Sequence, residues 1–170
     1  MVATSSIPCQ LDLHSLKRFS NISYDPSLYG GRAAYFKSSN MEGRISIFAS
    51  GKIVSVGTRS ERRAAQEIES FKQFLIKNHI TKPFTTRTAI RNIVVVADFG
   101  EAVNLESLAE NRMVVYEPEQ FPAGILRISE PCKATVLIFS SGKAAIMGLA
   151  NSTQIDPIIE EISEILKRTH

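Results

Sequence analysis

The sequence has no tryptophan, two cysteines and three histidines in 170 residues. The histidines are scattered at positions 14, 79 and 170, and Cys9 and Cys132 stand alone, so no metal-binding spacing exists and no metal or other cofactor is expected. Both cysteines read as plain buried or half-buried residues of a chain kept in a reducing interior. No apolar run approaches the roughly 20 residues that span a bilayer. The opening stretch "MVATSSIPCQ" lacks the basic and long apolar regions of a secretory signal, so neither membrane insertion nor export is expected. Paired carboxylates and a histidine-based triad are absent. The two Gly-Lys pairs, in "IFASGK" and "IFSSGK", do not make a phosphate loop. Ser46 and Leu137 stand where that loop needs its first glycine, and Ile53 and Ala144 where it needs Ser or Thr. Ser141 and Lys143 have no orienting third group, which disfavours a nucleophile pair. A non-enzymatic protein is expected.

Charge is unevenly placed. Residues 1–82 hold 12 Lys and Arg against 6 Asp and Glu, and residues 83–170 hold 8 against 11. One basic and one mildly acidic half fit a polyanion partner plus a second, different partner, although ordinary surface scatter gives the same asymmetry.

The two "SGK" phrases belong to an internal repeat. At an offset of 92, Leu13, Ser15, Leu16, Tyr24 and Pro26 meet Leu105, Ser107, Leu108, Tyr116 and Pro118. Beyond residue 44 the offset becomes 91. There Ile47, Phe48, Ser50, Gly51 and Lys52 meet Ile138, Phe139, Ser141, Gly142 and Lys143, and Gly57 meets Gly148. The copies are 1–80 and 91–170, joined by a linker at 81–90. Within them "IRNIVVVADF", "AAYFK", "RISIFAS", "KIVSVGT", "GILRIS", "TVLIFSS" and "KAAIMGL" read as strands. "DLHSLKRFS" and "NLESLAENR" read as short capped helices, "YDPSLYGG" and "YEPEQFPAG" as turns, and each Ser-Gly as a tight hairpin. A long helix closes each copy, Ser60–Lys77 and Asn151–Arg168, with Ala64, Ile68, Phe71 and Leu75 on the first apolar stripe. The order is β-α-β-β-β-β-α per copy, an α+β fold.

Two helices cover one face of such a sheet. In the second copy Leu137, Phe139, Ala145 and Met147 share one parity, and Val136, Ile138, Ala144 and Ile146 the other, so both faces are apolar. The first copy has Ser46, Phe48, Val54 and Val56 at the matching positions. The face away from the helices is either a buried interface, as in a homodimer, or an apolar binding surface.

"NIVVVADF", "VNLESLA", "YEPEQFPAGILRISEP" and "TVLIFSSGKAAIMG" resemble the second repeat of the TATA-box-binding protein family, and residues 12–77 resemble its first repeat in degraded form. The resemblance covers nearly the whole chain, which looks like a divergent, archaeal-like member. It implies a saddle of two pseudo-symmetric antiparallel repeats, with helices on the convex side and the minor groove of double-stranded promoter DNA on the concave side. It implies apolar wedges at Phe48, Phe121, Phe139 and Tyr29, and minor-groove contacts from Asn92, Val2, Val94, Val56 and Met147. Phosphate contacts are implied at Lys52, Lys143, Arg127 and Arg59, and docking of a TFIIB-type initiation factor (TFB in archaea) on Glu117, Glu119 and Gln120.

This sequence departs from the family pattern. The counterpart of Asn92 would be residue 0; Val56 and Met147 replace central threonines; Tyr35 stands where an Arg is expected and Ala150 where a Lys is expected. Two readings follow: a general initiation factor that binds and bends AT-rich DNA, or a divergent paralogue with weakened DNA binding that acts as an interaction module or regulator. The first places the protein with the nucleoid in an archaeal cytoplasm, or in the nucleus of a eukaryote. The short stretch before the first repeat fits the archaeal case, and without DNA a homodimer through the apolar faces is expected.

Overall fold

A computed structural model describes residues 1–168; Thr169, His170 and the side chain of Tyr29 lie outside the described residues. The chain divides into two units, Met1–Arg91 and Asn92–His170. The first contains β1 (Val2–Ser6), α1 (Leu13–Leu16), β2 (Ile22–Ser23), a 3-10 turn (Leu28–Gly31), β3 (Ala33–Phe36), β4 (Arg44–Phe48), β5 (Lys52–Val56) and α2 (Glu61–Lys77). The second contains β6 (Ala89–Asp98, whose first residues fall in the first unit), α3 (Leu105–Leu108), β7 (Val114–Val115), β8 (Ala123–Ile128), β9 (Ala134–Phe139), β10 (Lys143–Leu149), a 3-10 turn (Ser152–Gln154) and α4 (Ile155–Lys167). The strand orders are β2-β3-β4-β5-β1 and β6-β10-β9-β8-β7, with antiparallel neighbours in each. This is the α+β order read from the sequence.

Local chemistry accounts for the elements. Asp12 caps α1 by accepting the His14 N–H at 3.0 Å, and Asn104 caps α3 by accepting the N–H groups of Glu106 and Ser107 at 3.0 and 3.1 Å. Both helices are single turns, shorter than their sequence strings, and continue as turns. Ser60 caps α2 through the Arg63 N–H at 3.1 Å. The α2 stripe of Ala64, Ile68, Phe71 and Leu75 is buried as read, with the Phe71 ring 4.8 Å from that of Phe36. Asn151 and Gln154 form a reciprocal capping box around the 3-10 turn, so the closing helix proper starts later than expected, at Ile155. In the second unit Val136, Ile138, Ala144 and Ile146 are buried, each large side chain worth about 1.5–3 kcal/mol of transfer energy.

Two features break the apolar pattern. Glu67 lies on the α2 stripe and is 2% exposed. Its Oε1 accepts the N–H groups of Glu42 and Gly43 at 2.7 and 3.3 Å, and the Arg63 Nε lies 3.4 Å away. The segment after α2 is docked on the first unit: Ile80, Phe84 and Ile90 pack against its core, and the Thr86 and Ser5 hydroxyls hydrogen-bond to each other.

Two sequence readings are corrected. Cys9 is exposed, because it lies in the bend after β1, where strand alternation no longer turns side chains toward the core; Cys132 is half-buried. The repeat has two shifts of offset, not one. Tyr35 pairs with Ser46 as Ile125 pairs with Leu137, so Tyr35 matches Ile125 and Lys37 matches Arg127. Two extra residues in the Leu28–Gly31 region displace β3, and cross-strand pairing reveals what the string alone aligned wrongly.

Candidate nucleic-acid interface

Strand alternation turns one face of each sheet toward the buried core and leaves the other open. In the second unit the open rows follow from the register. Val96, Ala145, Leu137, Ile125 and Val115 form one row, with Met147, Thr135 and Arg127 on one side of it and Lys143 and Phe139 on the other, where Ala123, opposite Phe139, is buried. Val96 is 75% exposed, Val94 48% and Phe121 38%, while Phe139 and Met147 are half-buried. The face is thus an apolar surface with Arg127 and Lys143, both exposed, at its ends. Asp98, opposite Lys143, turns its Oδ1 to the Gly100 N–H at 3.0 Å.

The first unit presents a different face. The row matching Val96–Val115 is Thr4, Val54, Ser46, Tyr35 and Ser23, largely polar. Val2, Val56 and Arg44 lie on one side of it, and Lys52 and half-buried Phe48 on the other. Val56 is 41% exposed. Arg59 sits off the sheet, in the loop before α2, its backbone N–H bonded to Glu42 Oε2 at 3.2 Å. Lys37, the true counterpart of Arg127, is committed elsewhere. Its Nζ donates to the carbonyls of Met41, Glu42 and Gly43 at 2.8, 2.8 and 2.7 Å.

Asn92 is held in one orientation. β10 carries a bulge between Ile146 and Leu149, where Gly148 has φ +97°. The Gly148 N–H freed by the bulge donates to Asn92 Oδ1 at 2.9 Å. The Asn92 amide N–H groups make no hydrogen bond among the described residues, and β6 alternation puts the residue on the face of Val94 and Val96. The arrangement presents a donor there. In the first unit the matching Gly57 N–H goes to the Met1 backbone carbonyl at 3.1 Å instead.

The turns at the far ends of the sheets differ. Tyr116, Glu117, Pro118, Glu119 and Gln120 line a shallow hollow, and Glu117, Glu119 and Gln120 are exposed. In the first unit, hydrogen bonds from the Ser27 hydroxyl and backbone N–H hold the Asp25 carboxyl below the usual aspartate range. Among the described residues no group of His, Cys, Asp and Glu could hold a metal, and no helix is long and apolar enough to cross a membrane.

The family model for transcription factor TFIID (or TATA-binding protein, TBP) matches residues 1–78 and 87–169. The chain belongs to the TATA-binding protein family. It is 32% identical over 157 residues to a TATA-box-binding protein of Cenarchaeum symbiosum, covering 91% of this chain and 85% of the relative. It is 35% identical over 172 residues to one of Pyrodictium occultum, covering 99% and 84%. Its structure is similar to that of Methanococcus jannaschii TBP, with TM-score 0.81, 28% identity and coverage of 98% of this chain and 95% of that one. Set within the TATA-binding protein family, the open face holds residues that sequence reasoning passed over. Val96 was hidden in an unbroken run of valines, where the exposed members cannot be told from the buried ones. Arg44 opens the strand-like string "RISIFAS", and only the folded sheet shows it beside Val56 and Tyr35.

Proposed function

We propose that this member of the TATA-binding protein family binds AT-rich promoter DNA in the minor groove through the open sheet faces, bends it, and acts as a general transcription initiation factor. The observation that carries the reading is the uncovered apolar face of the second unit, Val94, Val96, Leu137, Phe139 and Met147, flanked by Arg127 and Lys143. An open apolar sheet face suits the minor groove, whose edge pattern separates little beyond A·T from G·C and whose steps can be unstacked by apolar side chains. Wedge insertion is carried over from the family. Here it assigns Phe121 and Phe139 in the second unit, Phe48 and Tyr29 in the first. Val2, Val94, Val56 and Met147 fill the groove floor, Asn92 donates to its acceptors, and Lys52, Lys143, Arg127 and Arg59 reach phosphates. The TFIIB-type factor docks on Glu117, Glu119 and Gln120. The protein works with chromosomal DNA, and without DNA the same apolar faces support self-association.

The test is a gel-shift and fluorescence bending titration on an AT-rich duplex, with and without the TFIIB-type factor. Phe139→Ala should lower affinity at least about tenfold and remove most of the bend. A wild-type protein that shifts no duplex at low salt, even with the factor present, would sink the reading.

A further inference from the structure

Arg44 stands on the open face of the first unit, in the row of Val2 and Val56, where the second unit has neutral Thr135. Its guanidinium lies 4.6 Å from the centre of the Tyr35 ring. Among the described residues it makes no hydrogen bond or ion pair. The nearest acid in sequence, Glu42, is turned elsewhere, with Oε2 on the Arg59 N–H and Oε1 3.6 Å from Arg63 Nε. The backbone just before Arg44 is pinned from two directions. Lys37 Nζ holds the carbonyls of residues 41–43, and Glu67 Oε1 holds the N–H groups of residues 42 and 43. Arg44 also lines a cavity of about 310 Å³ with Lys37, Glu42, Gly43, Val56 and Gly57, open to solvent beside the sheet.

This is an unpartnered cation held ready. Stacking on an aromatic ring limits the freedom that a long side chain would otherwise lose on binding. The first unit has no counterpart of Asn92. Besides Lys52, the Phe48 and Tyr35 rings and Arg91, whose Nε donates to the Thr4 hydroxyl at 2.9 Å, its face is small hydroxyls and valines, and Arg44 is the guanidinium on it without a hydrogen-bond partner among the described residues.

The geometry points to Arg44 as a specificity-determining contact that donates to minor-groove acceptors of A·T pairs beneath the first unit. The inference rests on the DNA-binding reading above and adds how the two units divide the work. A·T pairs offer only acceptors in the minor groove, and narrow A·T tracts concentrate negative potential that draws a guanidinium in. A G·C pair places the guanine amino donor there, and a guanidinium has no acceptor to meet it. The second unit selects through apolar contact and Asn92, the first through Arg44. The two halves therefore differ in how strictly they require A·T, and this difference orients the protein on its site.

The experiment is a competition anisotropy series with the full chain. It uses an AT-rich duplex and variants in which each A·T pair is replaced by G·C or by inosine·C, which lacks the amino group. Wild type should lose about tenfold at one or two positions on G·C replacement and regain it with inosine. Arg44→Gln should erase that penalty at those positions alone, leave penalties under the second unit intact, and weaken the parent duplex. Arg44→Lys, which keeps the charge without the fork, should keep the salt slope and lose most of the discrimination. Thermal melts matching wild type establish that the variants fold. An Arg44→Gln protein that keeps every wild-type penalty overturns the inference. So does one that weakens all duplexes equally while the salt slope falls by about one, the mark of a phosphate contact. If wild type binds no duplex, the DNA-binding reading itself fails, a result distinct from either of these.

Discussion

Asn92 offers a substitution that separates folding from binding, because its two amide ends have different tasks. Oδ1 accepts the Gly148 N–H at 2.9 Å and secures the β10 bulge; the N–H₂ end faces out with Val94 and Val96. Asn92→Ala removes both. The freed Gly148 N–H is near solvent, so water replaces part of the bond, and the stability loss should be about 1 kcal/mol. Asn92→Asp keeps an acceptor of the same shape for Gly148, so stability should stay within about 0.5 kcal/mol of wild type. In the DNA complex, however, Asp turns a donor into an acceptor. It forfeits the hydrogen bonding of a well-placed base contact, about 1–3 kcal/mol, and adds a carboxylate facing acceptor lone pairs in a polyanion. Affinity should fall at least about a hundredfold, the equivalent of about 2.7 kcal/mol. Urea unfolding read by circular dichroism gives the first quantity and anisotropy titration on an AT-rich duplex the second. An Asp variant that binds within about threefold of wild type would show that the amide does not donate to DNA. An Asp variant as unstable as the Ala variant would show that Oδ1 does not support the bulge.

Other outcomes follow from the fold. Glu67→Ala removes the acceptor of two backbone N–H groups under the β3–β4 loop, and hydrogen bonds to charged groups imply a loss of about 3 kcal/mol, seen as a lower urea midpoint. A loss below about 0.5 kcal/mol would show that the loop does not depend on it. Gly142→Ala and Gly100→Ala share a positive φ, +82° and +79°, but differ in space. A Cβ at 142 would stand 2.1 Å from the Glu101 carbonyl oxygen, and one at 100 would meet nothing within 4 Å. Gly100→Ala should cost about 1 kcal/mol of left-handed strain and Gly142→Ala clearly more, by thermal denaturation; equal losses would refute the close approach.

Much of the fold was legible because its signals are local. The "IFASGK" and "IFSSGK" hairpins announce themselves by strand alternation and a glycine at the turn. The α2 stripe is legible through 3.6-residue spacing, and the caps at Asp12, Ser60 and Asn104 through residue type. Glu67 was not legible. A glutamate between Ala64 and Ile68 reads as solvent-facing until two N–H groups from a distant loop are seen to need it. The Tyr35 misalignment has a similar origin, since an insertion in an irregular turn leaves no periodic trace.

The sequence by itself determined the duplication, the α+β order, the apolar character of the second sheet and the family. These follow from composition and short-range period, which every residue carries with it. Tertiary structure decided which face of each sheet lies open, that the Asn92 donor points outward, that Lys37 is spent on its own loop, and that Arg44 stands free over Tyr35. Those are matters of cross-strand register, of a side chain folding back on its own loop, and of hydrogen bonds such as that of Asn92 with Gly148 between residues far apart in the chain. Even where both partners share a short window, as Lys37 and residues 41–43 do, only the folded chain brings them together.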